Sequence, residues 1–355
     1  MRFIHMADIH FDSDFSSLAG IPELCDTRRL EQRESFKKII GYIKKENIKF
    51  LFIAGDLYEQ KYIREETIIY INNLFKDIPN TNIFISPGNH DPLIKNSFYS
   101  TFNWNKNVYI FNSEINKLEF DNVNIYGFGF NDFYCEDSGI ENIKLDQSQK
   151  LNILITHADL NASKVLEKSY NPITINQLNN IRFDYCALGH IHKSRINISD
   201  RIIYPGSTIS FGFDELGDHG ILDVTLDKNN CDINFIKFDD RIFEELNFNI
   251  SDIFSFEELI EKINELKLEE NKMYKLILIG DRNFEINLLK IKKFIKLKNI
   301  IKLKDYSKTK YDLKEISSQN NLKGVFVKEM LSKIDNSTYS KEDIEKAIEI
   351  GLDVL

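Results

Sequence analysis

Five short runs dominated by apolar residues mark the chain up to residue 188: 2–6, 50–54, 83–86, 151–155 and 184–188. They are rich in Ile, Phe and Leu, as strands buried in an α/β sheet are. Between the first two, Leu30, Phe36, Ile39, Ile40 and Ile43 recur on one side of a helix predicted over 28–45. A second helix is predicted over 65–75. This alternation of strand and helix predicts an α/β fold. Ile202-Ile203-Tyr204 reads as a strand leading into the tight turn Pro205-Gly206-Ser207. The segments 220–226 and 232–238 read as a closing hairpin turning at Lys228-Asn229-Asn230.

From residue 241 the pattern changes. A strand over 241–248 precedes an amphipathic helix over 255–266, with Ser255 as cap and Glu258 three residues on. A strand over 272–279, a helix over 285–296 and a strand over 300–304 complete a β-α-β-α-β unit. The segment 305–323 is polar and without periodicity, and reads as a linker. Two short helices come next. The first, 325–334, presents Phe326, Val327, Met330, Leu331 and Ile334. The second begins with the capping box Ser340-Lys341-Glu342-Asp343 and aligns Ile344, Ala347, Ile348, Gly351, Leu352 and Leu355. The expected domains are 1–240, 241–304 and 324–355, joined through the linker 305–323. Such a tethered helix pair docks in a partner's groove or packs on its own domain. On the first reading Phe326, Met330, Ile344, Ile348 and Leu352 form the partner surface.

Each of the five early runs is followed by a polar block: Asp8-Ile9-His10, Gly55-Asp56, Gly88-Asn89-His90-Asp91, Thr156-His157 and Gly189-His190-Ile191-His192. Sites in open α/β sheets form beyond the carboxyl ends of strands. The blocks therefore bring Asp8, His10, Asp56, Asn89, His157, His190 and His192 to one place, a ligand supply for two metals. Two divalent cations roughly 3.5–4 Å apart clamp the attacking and leaving oxygens of a phosphoryl transfer. They need a bridging carboxylate, for which Asp56 is the candidate. The mixed nitrogen and oxygen donors suit Mn, Fe, Co or Zn better than Ca or Mg, and the lack of thiolates argues against a structural zinc site. A cation pair also lowers the pKa of a shared water, which supplies a nucleophile near neutral pH. Of seven His, five fall in these blocks. His5 lies inside the first strand and reads as a hydrogen-bonded core histidine, and His219, in Gly217-Asp218-His219-Gly220, as a solvated one.

With 355 residues the chain is long enough for two or three units. No apolar stretch reaches the length of a membrane span. The first strand starts at residue 2 or 3, which leaves no room for a targeting peptide and points to the cytoplasm. Cys25, Cys135, Cys186 and Cys231 are widely spaced and form no C-x-x-C pair, as expected for reduced thiols. The net charge of −9 is unusual for a protein that binds nucleic acid unaided. Between Asp281 and Lys310, however, ten basic and three acidic residues give 10 − 3 = +7. That run is a solvated face or a phosphate-tracking surface. On the latter reading Lys290, Lys293, Lys296, Lys302 and Lys304 contact DNA.

The ordered blocks D-x-H, G-D, G-N-H-D, H and G-H-x-H, across residues 8–192, resemble the calcineurin-like metallophosphoesterase superfamily. The resemblance implies a β-sandwich flanked by helices, here with a small α/β capping domain and C-terminal helices. It implies that Asp8, His10, Asp56 and His192 hold one metal, and Asp56, Asn89, His157 and His190 the other. It makes His90 the group that stabilises or protonates the leaving oxygen, with Asp91 supporting the loop. Glu59, three residues past Asp56, occupies a place where an acidic residue orients the catalytic histidine in several branches. Related nucleases carry Asp or His there, so Glu59 either orients His90 or is a solvated loop residue.

The opening Phe-Ile-His-Met-Ala-Asp-Ile-His, the loop Gly-Asp-Leu-Tyr-Glu and the segment Ser-Pro-Gly-Asn-His-Asp resemble the SbcD/YhaO-type exonucleases of double-strand-break repair. The ending Ala347-Ile348-Glu349-Ile350-Gly351-Leu352 is similar to the YhaO branch. This resemblance implies a manganese-dependent DNA nuclease, exo- or endonucleolytic. It also implies an SbcC- or YhaN-like ATPase bound by the C-terminal helices, and a homodimer. The alternative is a phosphodiesterase or phosphatase for small phosphoesters. Against it, the chain lacks the Arg of the protein phosphatase motif and carries about 100 residues of added C-terminal structure. A non-catalytic scaffold is disfavoured because His90 and all seven candidate ligands are present.

Overall fold

A computed structural model describes residues 1–355 except 19, 146–148, 161–168, 198, 200 and 335–338. The chain divides into two compact units, 1–244 with 271–273, and 245–270 with 274–355.

The first unit is a sandwich of two six-stranded sheets. One contains β1 (Arg2–Met6), β2 (Phe50–Ile53), β3 (Asn82–Ile85), β4 (Val108–Ile110), β13 (Gly220–Leu226) and β14 (Cys231–Lys237), in the order β14-β13-β1-β2-β3-β4. The other contains β5 (Asn116–Glu119), β6 (Val123–Phe128), β7 (Leu151–His157), β10 (Tyr185–Gly189), β11 (Arg195–Asn197) and β12 (Ile202–Tyr204), in the order β11-β12-β10-β7-β6-β5. β8 (Asp159–Leu160) and β9 (Pro172–Ile173) form a short parallel pair. β1, β2 and β3 run parallel, as do β7 and β10, so their carboxyl ends share an edge.

Between the sheets lie Phe3, Phe52, Phe84, Ile125, Ile153 and Tyr185, all fully buried. His5 is the histidine of this interior, with its Nδ1 3.0 Å from the Tyr185 hydroxyl. The outer face of the first sheet is covered by α1 (Pro22–Lys45) and α2 (Glu65–Lys76), through Phe36, Ile39, Ile43, Ile68, Ile71 and Phe75. Burial of each such side chain contributes about 1.5–3 kcal/mol.

α1 begins six residues before the predicted start at 28, with Pro22 in its first turn. In the added section, 22–27, Cys25 alone is buried, and the buried face continues into Arg28 and Gln32, polar positions that hydrophobic patterning does not detect. These polar groups are matched in part, with Arg28 Nε and Gln32 Oε1 left without a hydrogen-bond partner. Arg28 reaches Asp239 and the carbonyl of Ser210, each at 2.9 Å. Gln32 donates to the carbonyls of Ile9 and His10, which fixes the first polar block to the helix. α3 (Phe98–Thr101) and α4 (Ile175–Ile181) complete the helices of this unit among the described residues.

In the second unit β15 (Ile242–Asn249), β16 (Lys272–Ile279) and β18 (Ile300–Asp305) form a three-stranded sheet, with β16 and β18 parallel. Its core joins Leu276, Leu278 and Ile300 to Leu259 and Ile263 of α5 (Phe256–Asn264) and Ile291 of α6 (Leu288–Phe294). Ser255 caps α5 as expected. α6 is shorter than predicted because the Asn287 side chain caps it at Lys290 and Ile295 is already extended. The segment 305–323, read from sequence as a linker, carries β19 (Lys308–Thr309), paired with β17 (Asp281–Arg282), and α7 (Leu313–Ser317), capped by Asp312. α8 (Leu322–Leu331) and α9 (Lys341–Val354) complete the unit.

The apolar stripes of α8 and α9 face one another. Val327, Ile344, Ile348 and Leu352 are buried, with Phe326 and Met330 packed on them. The five residues assigned from sequence to a partner surface are thus this pair's own core. The large apolar side chains left exposed on the two helices are Leu322, Val325, Ile350 and Val354. No helix among the described residues is long and apolar enough to cross a membrane.

Candidate metal centre

The polar blocks leave the carboxyl ends of β1, β2, β3, β7 and β10, and they are stitched together by backbone bonds. The amide of Asp8 donates to the Gly55 carbonyl at 3.1 Å and that of His10 to the Asp56 carbonyl at 2.8 Å. The amide of His90 donates to Asp56 Oδ1 at 2.9 Å, and that of His190 to Asp8 Oδ1 at 3.1 Å. Asp8, His10, Asp56 and His190 all hold positive φ, at 52°, 49°, 53° and 104°. Such backbone costs on the order of 1–3 kcal/mol per residue and concentrates at functional sites. Gly88 is required for a different reason: a Cβ there would collide with the Asp56 carboxylate and the His157 ring.

Three of the candidate ligand histidines have Nδ1 occupied by an acceptor. His10 Nδ1 lies 2.8 Å from Glu59 Oε1, His192 Nδ1 lies 2.6 Å from Glu215 Oε1, and His157 Nδ1 lies 2.9 Å from the Ala54 carbonyl. Each contact places a proton on Nδ1 and leaves the Nε2 lone pair to face inward. The Nε2 atoms converge. Those of His10 and His192 are 3.1 Å apart. His157 Nε2 is 3.2 Å from Asp56 Oδ2 and 3.0 Å from Asn89 Oδ1, and His10 Nε2 is 3.6 Å from the same Asp56 oxygen. Ligand atoms of Asp8, His10 and His192 lie within 4.8 Å of one another, as do those of Asp8, Asp56 and His157, and of His10, Asp56 and His90. Asp8 and Asp56 each belong to two of these clusters, and Asp56 Oδ2 faces both His157 Nε2 and His10 Nε2. Facing imidazole nitrogens without a proton between them repel unless a cation lies between, so this donor set fits a pair of divalent ions. His190 belongs to none of the three clusters. Its ring sits 5.2 Å from that of His157 and 5.1 Å from that of Tyr170.

The electrostatics suit cation binding. Burial disfavours charge on Asp56, yet the surrounding His157, His10 and His90 hold its carboxyl well below the usual range. Burial raises the Asp8 carboxyl. His157 and His192 resist burial because Asp56, Asp8 and Glu215 surround them, and each is pushed up to about 9. Burial and the neighbouring His157 push His190 down to about 3. Cations compete with protons for these nitrogens, which makes metal binding proton-linked.

Glu59 is half of a two-histidine clamp. Its Oε2 lies 2.9 Å from His90 Nδ1 while its Oε1 holds His10. Burial raises its pKa, but the two imidazoles outweigh that and bring it to about 2. His90, penalised by burial, is raised to about 9 by Glu59, Asp56 and Asp91. Asp91 is fully buried and accepts from the amides of Asp56, Leu57 and Gly88 and from the Tyr99 hydroxyl. It ties the loops after β2 and β3 together without lining the cleft.

Glu215 was not foreseen. Besides holding His192, its carboxylate accepts from the Ser207 hydroxyl at 3.1 Å and the Phe211 amide at 3.3 Å. His219, expected in solvent, is 4% exposed: its Nδ1 meets Ser207 Oγ at 2.9 Å and its Nε2 meets the Glu215 carbonyl at 2.8 Å. The fold of 207–219 back on itself buries it. Lys290, Lys293, Lys296, Lys302 and Lys304 are exposed, all in the second unit. The cleft over the candidate ligands has a volume near 590 Å³ and opens past Glu59, Asn89, His90 and His192 to a rim that includes Tyr62, Phe133 and Tyr134.

The family model of calcineurin-like phosphoesterases matches residues 1–194. A Bacillus subtilis (strain 168) protein described as uncharacterized metallophosphoesterase YhaO is 26% identical over 276 residues, which cover 75% of this chain and 67% of that one. With the ligand blocks of both sheets converging on one metal-fitting cluster, the chain belongs to the calcineurin-like phosphoesterases, a family of metal-dependent phosphoester hydrolases.

Proposed function

We propose that the protein is a two-metal-dependent nuclease that hydrolyses phosphodiesters of DNA in double-strand-break repair. The observation that carries this reading is the setting of His90. Its Nδ1 is held by Glu59, its side chain is 45% exposed on the open cleft, and it stands beside the candidate ligands His10 and Asp56. A proton donor at the mouth of an open cleft suits a diester whose leaving group is a continuing chain. Exposed lysines in the second unit and the resemblance of the motif loops to SbcD/YhaO-type enzymes support DNA as that chain.

Asp8, His10, Asp56 and His192 would hold one cation, and Asp56, Asn89, His157 and His190 the other. When bound, the pair supplies charge neutralisation and an activated water. His90 delivers its proton to the departing ribose oxygen. Glu59 sets its tautomer and keeps it charged, and Asp91 fixes the loop that carries it. The family identifies divalent metals as the cofactors, and manganese is the proposed pair. An SbcC- or YhaN-like ATPase is the proposed partner of a cytoplasmic homodimer. The exposed Leu322, Val325, Ile350 and Val354 are its docking positions, in place of the buried residues first assigned.

The test offers linear duplex, single-stranded and hairpin DNA, bis-p-nitrophenyl phosphate and p-nitrophenyl phosphate, with Mn²⁺, to wild type and His90→Ala. DNA cleavage that His90→Ala lowers by about 10²–10⁴-fold, with Mn²⁺ still bound, is expected. Turnover of the small phosphoesters alone, even with an added ATPase partner, would reject the nuclease reading.

A further inference from the structure

Among the described residues six aromatic side chains line the cleft, and they fall into two groups. Phe15 and Phe211 stack on each other at 5.2 Å, and Phe211 packs against the rings of His10 and His192. This pair is a floor that holds the candidate ligands. The others form the rim. Tyr62 is 39% exposed, Phe133 42% and Tyr134 43%. The Tyr134 ring lies 5.8 Å from Tyr170, which in turn lies 5.1 Å from His190, so a line of rings leads from the rim to the ligand cluster.

The rim is anchored to the metal site. The Cys135 amide donates to the Ser169 carbonyl at 2.9 Å, and the Asn171 amide donates to the Cys135 carbonyl at 2.6 Å. The Asn171 side chain then donates to the His157 carbonyl at 3.0 Å. Phe133 and Tyr134 are thereby fixed relative to the end of β7. Across the cleft, Tyr62 is held by its amide on the Glu59 carbonyl at 2.9 Å, and the Lys61 ammonium lies 4.9 Å above its ring.

Charge narrows what this rim takes. Apart from the histidines, the ionisable side chains lining the cleft among the described residues are Asp14, Glu59, Asp214 and Glu215, with Lys61 and tyrosines. A row of phosphates following this surface would meet carboxylates. A strand is retained here through its bases, because every nucleobase offers a face to an aromatic ring whatever the surrounding charge. In a duplex those faces are covered by neighbouring base pairs. Resting on the nuclease reading above, we infer that Tyr62, Phe133 and Tyr134 stack the nucleobases flanking the scissile phosphate, so that the site takes an unpaired DNA strand rather than a closed duplex.

The test uses full-length protein with Mn²⁺ and a single-stranded oligonucleotide, a matched strand with abasic residues at its centre, and a blunt duplex. Wild type should cut the base-bearing strand roughly tenfold more efficiently, in kcat/KM, than the abasic strand. It should also cut it faster than the blunt duplex. The joint variant Phe133→Leu, Tyr134→Leu should bring the ratio of base-bearing to abasic cleavage near one, mainly through KM. Phe133→Trp should keep the ratio high, which separates stacking from loss of fold.

Equal cleavage of the base-bearing and abasic strands by wild type overturns the inference and leaves the nuclease reading standing. A preference that survives the joint Leu substitutions overturns the assignment to these rings. Equal cutting of strand and blunt duplex overturns the preference for unpaired DNA. Hydrolysis of bis-p-nitrophenyl phosphate with no cleavage of any DNA rejects both this inference and the nuclease reading.

Discussion

Glu59 and His90 form a directed pair: Glu59 Oε2 accepts from His90 Nδ1 at 2.9 Å, with its other oxygen committed to His10. One carboxylate therefore orients both a candidate ligand and the candidate proton donor. Glu59→Gln removes the charge and keeps the shape. His90 is held near 9 against burial by that hydrogen bond first and by nearby carboxylates second. With the charge gone, the burial penalty gains weight and the pKa falls. Activity that needs protonated His90 is lost as pH rises through its pKa, so the descending limb of the kcat profile should move to lower pH. The expected loss in kcat is about 10–100-fold, with weakened Mn²⁺ binding through His10. An unmoved descending limb would mean that Glu59 does not act through His90.

Glu215 should behave differently, because it touches His192 and lies on the other side of the cluster from His90. Glu215→Gln loosens the tautomer and aim of His192 Nε2. Calorimetric titration with Mn²⁺ should show one of two sites weakened by about 10–100-fold. The pH limb assigned to His90 should stay in place. Two sites of undiminished affinity would show that His192 needs no carboxylate to bind.

Much of this was legible because buried strands and their terminal ligands are adjacent in sequence. Asp8, His10, Asp56, Asn89, His157 and His192 could be placed because each stands at or just past the end of an apolar run. Glu215 was not legible, because it trails no strand and lies 23 residues from the histidine it holds. His219 was misread for a related reason: Gly217 and Gly220 suggest an exposed turn, but this one closes over Ser207. The early start of α1 was hidden because its first six residues, 22–27, bury only Cys25 and show no apolar periodicity. The C-terminal helices show the limit of an amphipathic pattern. It revealed that Ile344, Ile348 and Leu352 would be covered, but not that α8 would cover them.

Asp223 links stability to pH in the first unit. Its carboxylate accepts from Arg2 at 2.6 Å and from the Tyr42 hydroxyl at 2.6 Å, which joins β13, β1 and α1. Burial raises its pKa, but Arg2 and Tyr42 outweigh burial and leave it below the ordinary carboxylate value. A depressed folded-state pKa stabilises the fold above the unfolded value, and that stability is lost as pH falls through the folded value. Arg2 is 40% exposed, so solvent screens the pair. Asp223→Asn should therefore cost about 1 kcal/mol at pH 7. In thermal melts that is a drop of about 2–4 °C. The gap between wild type and variant should close below the carboxylate range, near pH 3 and under. A gap that persists at low pH would assign the loss to packing.

Gly351 offers a prediction in which two effects oppose. It sits inside α9, where glycine is intrinsically worse than alanine by about 1 kcal/mol. On propensity alone Gly351→Ala should stabilise the helix. A Cβ at this position, however, would run into the Phe326 ring, which packs on the buried Val327, Ile348 and Leu352. Displacing that ring from a packed cluster costs roughly 1–3 kcal/mol, so overpacking should win. Hydrogen exchange on the full chain should show faster exchange across Leu322–Leu331 and Lys341–Val354 in the variant. Slower exchange would mean that Phe326 can move aside at little cost, and that the close approach of α8 to α9 is not what keeps glycine at this position.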